Sequence, residues 1–127
     1  MPDKTYKIVL AEDDHILSKY LSARLAQEAH FEVHTAMDGE EAEKVARDIH
    51  PDLLLLDIIM PKRNGFEVLE SLKKDPTTRD IPVIVLSNLG QESDVARARD
   101  LGAVDYFVKV DLEVKDIVEK VRQFLKG

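Results

Sequence analysis

The sequence repeats one pattern five times: a short apolar run, then a segment whose apolar residues recur at three- and four-residue spacing. Short apolar runs are typical of β-strands, and the wider spacing is typical of amphipathic helices. The runs begin at Tyr6, Phe31, Leu53, Val83 and Val104. Strands that alternate with helices in this way form parallel sheets with right-handed crossovers. We therefore expect an α/β fold, a flavodoxin-like, doubly wound five-stranded parallel sheet with strand order 2-1-3-4-5.

The runs differ in their polar neighbours, and this difference predicts their places in the sheet. Phe31, Val33 and Thr35 alternate with more polar residues, as expected for a strand at the edge. The run from Leu53 to Leu56 is apolar on both faces, as expected at the centre. The expected order places the first and third strands side by side, with the switch point of the sheet between them.

Composition bounds the size and class of the protein. The 127 residues include 25 acidic and 18 basic side chains, a formal charge of −7 at pH 7, and no cysteine. This length predicts one domain over residues 1–127, and the acidic balance argues against direct nucleic-acid binding. The absence of cysteine excludes disulfides, thiolate nucleophiles and cysteine metal sites. It also favours a cytoplasmic location. The apolar stretches are shorter than the ~18 residues of a membrane helix, and no signal peptide is evident, so we expect no membrane insertion.

Polar residues follow the apolar runs at the points where the predicted strands end. These residues are Glu12, Asp13, Asp57, Ser87 and Lys109. Ligands of open parallel sheets bind beyond the carboxyl ends of the strands. Neighbouring carboxylates repel one another unless a cation such as Mg2+, which prefers oxygen ligands, lies between them. The lysine and the serine would supply a cation and a hydroxyl donor for phosphoryl oxygens.

Each of these residues also has an ordinary structural interpretation. Asp13 or Asp14 could cap the first helix, Ser87 could form a turn, and Asp57 and Lys109 could be solvated charges at strand ends. An acid pair, a further carboxylate, a hydroxyl and a lysine on four strand ends of one sheet favour a functional site. The four histidines lack metal-ligand spacing. Glycine-rich phosphate loops and serine-hydrolase motifs are absent from the sequence.

Four motifs carry a resemblance to a known family. They are LAEDD at 10–14, LLLLDIIMPKRNG at 53–65, VIVLSN at 83–88 and GAVDYFVK at 102–109. In combination these motifs closely resemble the receiver domain of two-component response regulators. The resemblance extends over residues 6–125. It implies a phosphorelay signalling domain that is not an enzyme in the usual sense but promotes its own phosphorylation and dephosphorylation.

The resemblance implies a metal site and a phosphoacceptor. Glu12 and Asp13 would form the acidic metal pocket, with Asp13 the direct ligand, and Asp57 would be both phosphoacceptor and metal ligand. The main-chain carbonyl of Ile59 would complete the protein ligands of Mg2+. The phosphoryl donor would be a histidine kinase or a histidine phosphotransfer protein.

The resemblance also implies a switch. Ser87 and Lys109 would bind the phosphoryl oxygens, and Tyr106 would change rotamer with the state of the site. This change would alter the surface of the fourth helix, fifth strand and fifth helix, which would bind an effector protein or an output domain outside this chain. Charged residues on the same surface could support a homodimer that forms on phosphorylation.

The sequence departs from the family pattern near the site. Val110 follows Lys109 where the family usually has proline, so we expect a trans peptide, because a cis bond before a non-proline residue costs roughly 2.5 to 4 kcal/mol. Asn88 stands where the family commonly has a small residue. Ile59 and Leu89 are apolar where polar side chains can position hydrolytic water, so we expect slow loss of the phosphoryl group.

Two other functions remain open from the sequence. An aspartate-based phosphatase or phosphotransferase also uses a nucleophilic Asp and Mg2+, but it needs an acid where this chain has Ile59. A pseudo-receiver would be an interaction module that is not phosphorylated. For a phosphodonor helix we expect a docking surface on the first helix, with His15, Ser18, Ser22 and Arg24 exposed.

Overall fold

The computed structural model describes residues 4–126 and contains one parallel sheet with strand order β2-β1-β3-β4-β5. The strands are β1 Tyr6–Ala11, β2 Phe31–Ala36, β3 Leu53–Leu56, β4 Val83–Ser87 and β5 Asp105–Val108. The helices are α1 His15–Ala26, α2 Gly39–Ile49, α3 Gly65–Lys74, α4 Glu92–Asp100 and α5 Val114–Lys126. This topology confirms the predicted fold, strand order and edge position of β2.

The sheet has an apolar core on each face, and β3 contributes to both. Leu54 and Leu56 pack with α2, α3 and α4 on one face. Leu53 and Leu55 pack with α1 and α5 on the other. All four side chains are completely buried. The continuous aliphatic run therefore reflects a central strand that is covered on both sides.

Capping side chains start three of the helices close to the strand ends. Asp14 accepts hydrogen bonds from the amides of Ile16 and Leu17 at 3.0 and 3.1 Å, which confirms it as the cap of α1. Asp38 caps α2, and Asn64 caps α3 in a reciprocal capping box. The connections from β1 to α1 and from β2 to α2 are therefore short, whereas a longer loop, residues 57–64, joins β3 to α3.

The exposure predicted for residues of α1 is wrong for Ser18, and Ser22 and Arg24 are half-buried, whereas His15 is exposed. Ser18 is buried, and its hydroxyl lies 3.9 Å from the sulfur of Met37, so it is unsuited to an exposed docking surface. Ser18 lies on the same helix face as Leu21, which is completely buried. Ile16 and Tyr20, by contrast, are 84% and 52% exposed and lie outside the apolar core.

The peptide bond after Lys109 has the predicted geometry, but β5 is shorter than predicted. No cis peptide bond occurs within residues 4–126, so the bond between Lys109 and Val110 is trans, as predicted. β5 is shorter than the predicted run because Val104 precedes it and Lys109 begins a 3-10 turn, Lys109–Asp111.

No helix in the described part of the chain is long and apolar enough to cross a lipid bilayer.

Candidate functional site

The main chain places two acidic side chains at the carboxyl edge of the central strands. The amide of Glu12 donates to the carbonyl of Ala36 at 3.0 Å, and the amide of Asp57 donates to the carbonyl of Ala11 at 3.0 Å. These bonds extend the β1–β2 and β1–β3 ladders by one residue. Glu12 and Asp57 are therefore fixed by the sheet, and they are only 1% and 5% exposed.

The sheet brings the three predicted acidic residues together. One carboxylate oxygen from each of Glu12, Asp13 and Asp57 lies within 4.8 Å of the others. Asp13 is half-buried, whereas the other two are buried. Like charges at this separation repel one another, so the arrangement requires cations.

Lys109 supplies one cation. Its Nζ lies 2.9 Å from Oδ2 of Asp57 and forms an ion pair with Oε1 of Glu12. We call Glu12, Asp13, Asp57 and Lys109 the site cluster. Three carboxylates face one ammonium group in this cluster, so negative charge is in excess. A set of oxygen donors with excess negative charge fits a hard divalent cation such as Mg2+.

Burial and pairing oppose each other in the pKa values of the site cluster. Burial by itself would lower the pKa of Lys109, but hydrogen bonds to Asp57 and Glu12 outweigh it, so the pKa is raised and the ammonium stays charged. Burial raises the pKa of Glu12, although the ammonium of Lys109 and the amide of Asp14 partly oppose this shift. A further cation beside Glu12 would oppose the effect of burial on the pKa of this carboxyl.

Hydrogen bonds fix both oxygens of the Asp57 carboxylate. Oδ1 accepts from the amides of Ile58 and Ile59 at 2.7 and 3.3 Å, while Oδ2 accepts from Lys109. The amide of Gly65 donates to the carbonyl of Ile58 at 2.8 Å. A Cβ on Gly65 would overlap the carbonyl oxygen of Asp57, so glycine is required for this close approach. The carboxylate is therefore held in one orientation before any reaction.

Ser87 and Tyr106 both contact the segment that follows β4. The buried Oγ of Ser87 accepts a hydrogen bond from the amide of Leu89 at 3.3 Å. The hydroxyl of Tyr106 donates to the carbonyl of Leu89. Burial raises the pKa of Tyr106, and the charge of Asp94 adds to the shift. Leu89 thus connects the predicted phosphoryl-binding serine to the predicted switch residue; the rotamer change itself stays a prediction.

Ile59 is more accessible than its predicted role in excluding water requires. Its side chain is 60% exposed, whereas Leu89 is half-buried and packs against the core. Of the two apolar residues expected to keep water from the site, Leu89 therefore has the more suitable environment. The role of the Ile59 carbonyl as a metal ligand stays a prediction.

Sequence reasoning missed a second group of charged residues between α2 and α3. Glu43 is 8% exposed and forms ion pairs with Arg47 and Arg63. An acidic residue beside Ala42 and Ala46 on the apolar face of a helix is the signal that could have identified it.

Comparisons with known proteins agree with the geometry. A family model described as the response regulator receiver domain matches residues 8–122. The DNA-binding dual master transcriptional regulator RpaA of Synechocystis sp. is 37% identical over 120 residues, which are 94% of this chain and 49% of RpaA. The response regulator PleD of Caulobacter vibrioides is 40% identical over 103 residues, which are 81% of this chain and 22% of PleD. The chain thus spans about half the length, or less, of these curated relatives.

Solved structures are similar over nearly the whole chain. The phosphorylated cyanobacterial phytochrome response regulator RcpA superimposes with a TM-score of 0.84 at 34% identity, covering 97% of this chain and 95% of RcpA. The Mn2+-bound form of the response regulator Rcp1 superimposes with a TM-score of 0.79 at 29% identity, covering 94% of this chain and 91% of Rcp1.

Proposed function

Because this chain belongs to the response regulator receiver domain family, we propose that Asp57 is its phosphoacceptor. Receiver domains are the signalling domains of two-component phosphorelays. The site cluster carries this assignment, since it contains a buried carboxylate whose oxygens are oriented by backbone amides and by Lys109. Two relatives add support: RcpA is described as phosphorylated, and Rcp1 as Mn2+-bound.

The proposed reaction transfers a phosphoryl group from a phosphohistidine to Asp57. An oxygen of the Asp57 carboxylate forms a bond to phosphorus while the bond between phosphorus and the imidazole nitrogen breaks, and the imidazole keeps the electron pair. The products are an acyl phosphate and a free histidine on the donor. Glu12, Asp13, Asp57 and the Ile59 carbonyl would hold Mg2+, whose positive charge would offset the negative charge of the phosphoryl oxygens.

The remaining steps belong to side chains of the chain itself. Lys109 now pairs with Oδ2 of Asp57, and after transfer it would bind an oxygen of the new phosphoryl group. Ser87 would donate a hydrogen bond from its hydroxyl to another such oxygen. Because the Ser87 hydroxyl and Tyr106 both bond to Leu89, a shift of Ser87 would be transmitted to the tyrosine and to the α4–β5–α5 surface.

The partners follow from this mechanism. A histidine kinase or histidine phosphotransfer protein would donate the phosphoryl group, and an effector protein or an output domain would read the α4–β5–α5 surface, which could also form a homodimer. RpaA is described as a DNA-binding transcriptional regulator, which supports transcriptional regulation as one function of such an output domain. The cytoplasmic location stays a prediction from the sequence.

Labelling with acetyl phosphate tests the assignment of Asp57. We expect Mg2+-dependent incorporation of one phosphoryl group per chain, lost in Asp57→Asn and retained in Asp48→Asn, which removes an exposed carboxylate of α2. Undiminished labelling of Asp57→Asn would reject the assignment. Titration with Mg2+, with and without beryllofluoride, separates a receiver from a pseudo-receiver, because a pseudo-receiver would bind neither.

The rate of phosphoryl loss and the turnover of phosphoesters test the finer points. We expect Leu89→Glu to shorten the lifetime of the phosphorylated form, because a carboxylate there could position hydrolytic water. An unchanged lifetime would show that Leu89 does not have this role.

Sustained turnover of small phosphoesters would favour the aspartate-based phosphatase, although Ile59 provides no acid for it.

A further inference from the structure

A second charged cluster joins α2 to the β3–α3 loop, which we define as residues 57–64. Oε2 of Glu43 pairs with Nε of Arg63 in this loop, and Oε1 lies 3.3 Å from Nη1 of Arg47. Arg47 also lies 3.3 Å from Asp75. We call Glu43, Arg47, Arg63 and Asp75 the α2–α3 cluster. Its buried carboxylate is fully compensated, because two guanidinium groups face it.

The main chain of α2 approaches the same loop. The amide of Gly39 donates to the carbonyl of Pro61 at 3.2 Å, and the amide of Arg63 donates to the same carbonyl at 2.8 Å. A Cβ on Gly39 would overlap the carbonyl oxygen of Arg63. The first residue of α2 must therefore be glycine for the helix and the loop to remain this close.

The two ends of the loop are fixed by other elements. The amide of Asp57 donates to β1, and the amide of Gly65 donates to the carbonyl of Ile58. Between these ends the chain passes Ile59, whose side chain is 60% exposed, before it reaches the contacts with Gly39 and Glu43. Helix α2 thus holds the half of the loop that the sheet does not hold.

We propose that Arg63 and Glu43 are positioning residues for the metal site. By holding the middle of the loop against α2, they fix the direction of the Ile59 carbonyl. The sheet itself fixes Glu12 and Asp57, whereas Ile59 lies in the loop beyond β3. The inference rests on the proposed function, in which the Ile59 carbonyl is a ligand of Mg2+. Groups that orient metal ligands typically change metal affinity by roughly 10- to 100-fold when they are removed.

The charge of Arg63 makes the inference testable. Loss of a positive charge near the site cluster strengthens cation binding by electrostatics alone. Weaker Mg2+ binding by Arg63→Met would therefore report the loss of positioning, because the electrostatic effect has the opposite sign. Lys44→Met is the matched control, since it removes one positive charge from an exposed pair with Asp48 on α2.

Isothermal titration with Mg2+ and amide hydrogen exchange provide the test. We expect Arg63→Met to bind Mg2+ about tenfold more weakly than wild type and to exchange the loop amides faster, with Lys44→Met unchanged or slightly tighter. Arg63→Lys, which keeps the charge, is expected to recover part of the affinity. Equal or tighter Mg2+ binding by Arg63→Met than by Lys44→Met would overturn the inference.

Gly39→Ala tests the same contact without a change of charge. The added methyl group would displace the loop from α2, so we expect weaker Mg2+ binding with the fold retained in the far-ultraviolet circular dichroism spectrum. Unchanged affinity in this folded variant would contradict the inference. Failure of the wild-type chain itself to bind Mg2+ would overturn the proposed metal site and this inference together, whereas a failure confined to the variants would leave the proposed function intact.

Discussion

The site cluster and the α2–α3 cluster contain the same kinds of side chain in different balance. In the site cluster three carboxylates face one ammonium group. In the α2–α3 cluster two carboxylates face two guanidinium groups. Balanced charges compensate one another without a ligand, whereas an excess of one sign is tolerated where a ligand of the opposite sign completes the site. The charges of the α2–α3 cluster thus hold elements of the fold together, whereas those of the site cluster are suited to binding a cation.

The largest effect is expected from loss of the carboxylate in the balanced cluster. Glu43→Gln leaves two guanidinium groups without their buried partner. Breaking a buried pair costs about 3 to 5 kcal/mol, but both arginines are more than one-third exposed, so we expect a loss of about 2 kcal/mol in the free energy of unfolding.

Urea denaturation at pH 7 in EDTA measures this loss, with Glu70→Gln as control. Glu70 forms an exposed pair with Lys74 on α3, and such a pair contributes about 0.2 to 0.5 kcal/mol. An equally small change in Glu43→Gln would show that the buried cluster has no special part in stability.

Addition of Mg2+ is expected to have the next largest effect, through the site cluster. At a concentration ten times the dissociation constant, binding to the folded state alone raises the free energy of unfolding by about 1.4 kcal/mol. Asp57→Asn removes a proposed ligand and should remove most of this gain. Denaturation curves with and without Mg2+ measure the difference, and equal stabilisation of wild type and Asp57→Asn would place the ion elsewhere.

A smaller effect of opposite sign to that of Glu43→Gln is expected from Asp13→Asn. The substitution removes one of the three neighbouring carboxylates, which relieves repulsion, so the free energy of unfolding in EDTA should rise by about 0.5 kcal/mol, since Asp13 is half-buried and solvent screens the repulsion. Asp48→Asn, which breaks an exposed pair, provides the control. Destabilisation by Asp13→Asn in EDTA would contradict the view that the site cluster is overcharged.

The smallest expected effect is a pH dependence from Glu12. Burial raises its pKa in the folded chain above 4.5, so the folded state binds this proton more tightly than the unfolded state. In EDTA the contribution of Glu12 to stability should therefore increase as the pH falls through the folded pKa toward 4.5, and should be lost as the pH rises through it. The difference between wild type and Glu12→Gln over this range measures the contribution; a difference that grows in the opposite direction would reverse the assigned sign.

Residues at strand ends were predictable from the sequence because position in a repeat determines place in a parallel sheet. Once Leu53 to Leu56 is assigned to a central strand, Asp57 must lie at its carboxyl edge, and the same argument places Glu12 and Ser87. The periodicity of the apolar residues predicted the elements, and the family motifs predicted the roles.

Contacts between helices were not predictable in the same way. Arg63 and Glu43 are far apart in sequence, and they form an ion pair only because α2 packs against the β3–α3 loop. The predicted exposure of helix residues was also wrong where apolar and polar residues share a face. Ser18, for example, is buried on the same face as Leu21. These features depend on the rotation of each helix about its axis, which a weak stripe in α1 does not determine.

The distribution of the site over four strand ends has a consequence for folding. Glu12, Asp57, Ser87 and Lys109 become neighbours only after strands distant in sequence have paired, and such long-range pairing is the slow part of the folding of parallel sheets. Lys109 follows the last strand and reaches the acidic residues only when β5 has joined β4. A partly folded or nascent chain therefore lacks the complete site, and its capacity to accept a signal is a measure of whether the whole sheet has formed.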